Sequence, residues 1–284
     1  MHLGTNVWSV APWHALSFHP FAGSPIAMTW AVPKTKIQDI DNHIACLNPL
    51  DQVGLQRVLF DVRELNERKR GDTDILLALV RVLCLMGRRG QAEEKLAGIE
   101  NLRGNMDVGN LNYLATVYAW LGEYEKSWEV FESFVFDKAS ALLDNVARTA
   151  VLMGDLERLD KVVGASEKTI GAGTEAIIAS AFREVIDSTG AAEFLQTHQT
   201  CVHEMIQRHQ CYANPVIVTD GDELFVTVRY YLNIGAEERR ELDRKVFDAS
   251  EEAAVEAGFD PSPLLPYFGT EFLSIPTDGL QAVA

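Results

Sequence analysis

The chain has no proline between Pro49 and Pro215, although ten occur among its 284 residues. Proline removes a hydrogen bond from a helix interior and clashes with the preceding turn, so this interval is expected to be almost wholly helical. Long apolar runs are missing too: nothing approaches the ~18 residues needed for a membrane-spanning helix. Bases are scarce, 25 against 41 acids, and the formal charge of -16 would repel phosphate backbones and anionic headgroups. Nucleic acid and membrane are therefore excluded as expected partners, and a basic protein or peptide segment is favoured. The four cysteines, Cys46, Cys84, Cys201 and Cys211, are too scattered for a disulfide framework, which points to reduced thiols and a cytoplasmic protein.

Residues 1–34 contain no acid and a single base, Lys34. Pro12, Pro20 and Pro25 interrupt this stretch, unlike the continuous apolar core of an export signal. It reads as an irregular extension, and the working chain is expected to begin near Met28. The phosphate loop Gly-x-x-x-x-Gly-Lys and the nucleophile elbow Gly-x-Ser-x-Gly do not occur.

The positive signals begin with helical spacing. Ile37, Ile40 and Ile44 mark a short helix that stops before Asn48-Pro49. Asp51 then caps a longer helix with Leu55, Val58, Leu59, Val62 and Leu65 on its apolar face and Arg68, Lys69 and Arg70 at its negative end. Turn glycines recur at Gly87, Gly122, Gly154 and Gly190, spaced 35, 32 and 36 residues apart. A period near 34 is expected of paired-helix repeats.

Around Gly122 stand Leu111, Leu114, Ala115, Tyr118, Tyr124, Ser127 and Phe131, a bulky–Leu–small–Tyr–Gly–aromatic–small–Phe order. This resembles the tetratricopeptide repeat. Leu76, Leu79, Leu83, Ala92 and Leu96 around Gly87 fit the same pattern, and Leu143, Val146, Ala147, Ala150, Leu156 and Leu159 around Gly154 fit it without the aromatics. In the unit of Gly190, Arg183 falls where the helices should pack closest.

The resemblance implies a mainly α fold: an α-α superhelical, TPR-like solenoid over residues 35–211, followed by a small α+β hairpin-helix unit over 212–284. Its concave wall would present Leu77, Arg81, Asn112, Thr116, Trp120, Asp144 and Arg148, with Ser180 and Glu184 in the last unit. Leu77, Asp144 and Glu184 stand where a carboxylate clamp would need donors, so a peptide of mixed character is expected there instead. The implied function is a non-catalytic protein- or peptide-binding adaptor, or a chaperone-like protein, with no cofactor.

Beyond the repeats, the helical pattern is expected to continue to about Cys211 and to break at Asn214-Pro215. Val216 to Thr219, Asp220-Gly221 and Leu224 to Leu232 read as a β-hairpin. A charged helix to Ala257 follows, with Leu242, Val246, Ala249 and Ala253 as the stripe that should cover the hairpin. Two strands alone are marginal, so a third strand from elsewhere in the chain or from a second copy should complete the sheet, which makes this unit a candidate dimerisation module.

A contrasting reading is a metal-dependent enzyme or regulator with its active unit near residues 198–232. His198, Cys201, His203, His209 and Cys211 offer zinc-type donors, although on one continuous helix they cannot all converge. The string Gly171-Ala172-Gly173-Thr174-Glu175-Ala176 fits a dinucleotide loop only if a strand precedes it.

Overall fold

The computed structural model describes residues 36–138, 142–166, 174–220, 223–256, 258, 260 and 268–275. The expectations for residues 1–34, and Gly171 to Gly173 of the glycine string, lie outside these. The helices are α1 (Lys36–Cys46), α2 (Gln52–Arg68), α3 (Thr73–Leu85), α4 (Arg89–Glu100), α5 (Val108–Trp120), α6 (Tyr124–Glu132), α7 (Val135–Lys138), α8 (Leu143–Met153), α9 (Leu156–Ser166), α10 (Thr174–Thr189), α11 (Ala192–Ile206) and α12 (Ala236–Glu256). The strands are β1 (Gln210–Asp220), β2 (Glu223–Leu232) and β3 (Phe268–Ser274).

Local signals read from the sequence govern the helical part. Asp51 caps α2 by accepting the Gly54 N–H at 2.9 Å, and Leu55, Val58, Leu59, Val62 and Leu65 are its buried residues. Asp72 caps α3 and Asp107 caps α5 in the same way. Helices pack in neighbouring pairs, α1 with α2, α3 with α4, α5 with α6 and α8 with α9. First helices also touch one another in the series α1, α3, α5, α8, α10. The pairing stops at α10. Helix α11 does not lie back along α10 but packs on α12 and reaches α8, while Arg183 bonds Asp160 and Asp187 at the surface.

The C-terminal sheet has the order β1-β2-β3, with β1 antiparallel and β3 parallel to β2. Helix α11 ends at Ile206 and β1 starts at Gln210, so the expected boundary at 211/212 falls inside a strand. Pro215 lies within β1 opposite Val228 and does not break it, because an edge strand tolerates a residue without an N–H. The expected face of β2 is observed, with Val226, Val228, Tyr230 and Leu232 all buried. Residues Phe268 to Ser274 form β3, so the chain supplies its own third strand.

Helix α12 covers α11 and β3 rather than the hairpin, and its buried residues are Val246, Ser250 and Ala254. The expected stripe was one position off at two points because Ser250 is drawn inward by a polar partner described below. The hairpin instead lies against the helical pairs: β1 contacts α3, α5 and α8, and β2 contacts α10. One hydrophobic core runs from Ile40 to Ile275.

The turn glycines do more than shape the turns. A Cβ on Gly122 (φ 79°) would sit 3.2 Å from Gln210 Oε1, and one on Gly154 (φ 63°) 2.7 Å from Gln199 Cγ. The repeat turns thus form the seat on which α11 and β1 rest.

Candidate functional site

The side chains expected to line an open wall are covered. Leu77, Arg81, Thr116, Trp120 and Arg148 are 0, 1, 2, 0 and 5% exposed, and Asn112 is 9% exposed. Asp144 is half-buried. Only Ser180 and Glu184, on the helix where the pairing fails, are exposed. This corrects the concave-groove expectation. Repeat periodicity names the inward positions but carries no information about another segment of the chain lying on them.

These residues hold the helices and β1 together. Arg81 donates to Asp41 on α1 at 2.7 Å, and its guanidinium lies 4.1 Å from the Tyr113 ring centroid. Asn145 Nδ2 donates to Asn112 Oδ1 at 2.8 Å, joining α8 to α5. Thr116 Oγ donates back to the Asn112 carbonyl. Trp120 meets Tyr212 of β1 edge-on at 4.8 Å. Arg148 donates to Asn214 Oδ1 at 3.4 Å, and burial lowers its pKa to about 10. Gln210, absent from every sequence expectation, is the hub. Its Nε2 donates to the Ala119 and Trp120 carbonyls at 3.1 and 2.9 Å, its Oε1 accepts from Tyr124 Oη at 3.2 Å, and its carbonyl accepts from Arg89 Nη1 at 2.5 Å.

The expected metal donors are separated by their roles. His198 bridges three elements, with Nδ1 2.7 Å from Ser250 Oγ of α12 and Nε2 3.0 Å from Thr270 Oγ1 of β3. Ser250 donates to the Val246 carbonyl, so His198 Nδ1–H donates to Ser250 and Nε2 accepts from Thr270. Cys211 is fully buried, and burial raises its thiol to about 12. His203 faces Tyr124, 5.0 Å between ring centroids, while Cys201 and His209 are half-buried elsewhere. Among the described residues no three His, Cys, Asp or Glu side chains are grouped to hold a metal. The described element ahead of the glycine string is a helix, α9.

His198 gives a testable pH dependence. Burial lowers its pKa from 6.5 to about 4, so the unfolded chain binds the proton more readily than the folded one. Stability from the neutral imidazole is complete above pH 6.5 and is lost as pH falls from 6.5 through about 4. The full loss should be about 3 kcal/mol. Urea midpoints measured across this window should fall steeply for the wild type and less steeply for His198→Gln; parallel curves would contradict the assignment.

A cavity of about 310 Å3 lies where the α5–α6 and α8–α9 turns meet α11, lined by Arg89, Gly122, Tyr124, Glu125, Met153, Gln199 and His203 among others. Gln199 is 2% exposed and its Oε1 accepts from Tyr230 Oη at 2.9 Å. Gln199 Nε2 and His203 Nδ1 are buried without a hydrogen-bond partner among the described residues. Burial lowers the His203 pKa, against the opposing charges of Glu123 and Glu204.

Among the described residues no helix is long and apolar enough to cross a membrane. Compared with known proteins, the chain matches no family model, and no curated protein or solved structure is found similar to it.

Proposed function

We propose that this protein is a non-catalytic, protein-binding adaptor built on TPR-like helix pairs, and that it docks its partner on the outer face of α12 rather than in the concave wall. The observation that carries this reading is the composition of the C-terminal half of α12. Phe247 and Val255 are 61 and 79% exposed, eight residues apart on one side of the helix. Asp248, Glu251, Glu252 and Glu256 surround them, all exposed, and the last turn carries no base.

Acids at a helix C-terminus add to the negative end of the dipole and are locally unfavourable. Large exposed apolar side chains inside such a field suit a basic amphipathic helix, whose apolar ridge would cover Phe247 and Val255 while its lysines meet the carboxylates. The net charge of -16 favours the same class of partner at long range.

Fluorescence anisotropy with a lysine-rich amphipathic helix of about 18 residues tests the reading. The full chain should bind it saturably and less tightly as salt rises. The Phe247→Ser/Val255→Ser variant should bind about tenfold more weakly, the loss of roughly 1.4 kcal/mol of apolar contact. Equal affinity of the two proteins would defeat the reading.

A further inference from the structure

The cavity between the repeat turns and α11 has a polar inventory that neither the fold nor the adaptor reading uses. Its upper wall is α11, which places Gln199 and His203 one turn apart on the same side. Both carry a buried nitrogen with no hydrogen-bond partner among the described residues. Native proteins seldom leave such groups unsatisfied, and two side by side in one cavity call for a common partner.

The lower wall is the first turn of α6. Its N-cap residue, Glu123, makes no side-chain cap, and Tyr124 and Glu125, the first two helical residues, line the cavity. Uncapped N–H groups at a helix start favour an anion. Arg89 adds a cation on the third side, its Nε held by Glu93 at 2.7 Å and its Nη1 by the Leu121 and Gln210 carbonyls. The two acids in the lining are engaged elsewhere, Glu125 with Arg158 at 2.6 Å and Glu123 with Lys126 at 3.6 Å.

Gln199 Nε2 is a donor, and the amide oxygen of the same side chain accepts from Tyr230 Oη. The wanted group is therefore an acceptor, small, planar and anionic. We propose that this cavity is a binding site for a small carboxylate, held between the α6 start, Gln199 Nε2 and the imidazole of His203. The site is separate from the outer face of α12, so either can fail without the other.

Titration of the isotopically labelled full chain with propionate, followed by backbone and side-chain NMR shifts, tests this. Saturable shifts are expected at Tyr124, Gln199 and His203, with propionamide, the neutral analogue, binding at least tenfold more weakly. Gln199→Glu keeps an acceptor for Tyr230 while replacing the donor with negative charge, and should abolish the propionate shifts. His203→Phe keeps the ring beside Tyr124, and should weaken binding about fivefold in a protein whose fold does not depend on Gln199. N-acetylglycine, titrated in parallel, distinguishes a free acid from a chain-end carboxylate by its affinity relative to propionate. Absence of saturable shifts with both acids, equal binding of propionamide, or undiminished binding by both variants would overturn the site.

Discussion

Asp41→Ala should destabilise the protein by about 3–5 kcal/mol, a large part of the stability of an ordinary domain. Asp41 lies on α1 and holds Arg81 of α3, whose side chain is 1% exposed. Deleting the carboxylate leaves a guanidinium in the core without its counter-charge, and the Tyr113 face beneath it compensates only in part. The double variant Asp41→Leu/Arg81→Met removes both charges and fills similar volume, so it should recover most of the loss. Urea denaturation of the wild type, Asp41→Leu, Arg81→Met and their double variant forms a double-mutant cycle, with Asp41→Ala measured beside it. Equal midpoints for Asp41→Ala and the double variant would show that volume, and not the lost ion pair, sets the cost.

Gln210→Leu should cost about 2–4 kcal/mol, although it exchanges a polar for an apolar side chain in a buried position. Gln210 is 0% exposed and its amide serves the Trp120 and Ala119 carbonyls at the end of α5 as well as the Tyr124 hydroxyl. The Ala119 carbonyl also accepts from Gly122 N–H and the Tyr124 hydroxyl also bonds Tyr230, so the main loss falls on the Trp120 carbonyl. Since Trp120 packs edge-on against Tyr212, its fluorescence should also shift as β1 loosens from α5. A midpoint within about 0.5 kcal/mol of wild type would mean that β1 is held by apolar contact alone.

The comparison of α2 with α12 shows where sequence reading succeeds. For α2, each expected core residue is buried because the cap at Asp51, the spacing and the stop are all local. For α12, the expected stripe of Leu242, Val246, Ala249 and Ala253 shifted to Val246, Ser250 and Ala254. A buried serine is unreadable without its partner, and that partner, His198, stands 52 residues away. The same distance effect separates His198, held by Ser250 and Thr270, from His203, which faces Tyr124.

By itself, the sequence determined the helix pairs, their turn glycines and the β1–β2 hairpin, all set by residues close together along the chain. Only the tertiary structure decided that Gln210 to Asn214 would lie across α5 and α8, that β3 would pair in parallel with β2, and hence that the wall is occupied and not open. The physical reason is that an apolar helix face specifies that something must cover it, whereas the identity of the cover depends on which distant segment offers matching shape and hydrogen bonds.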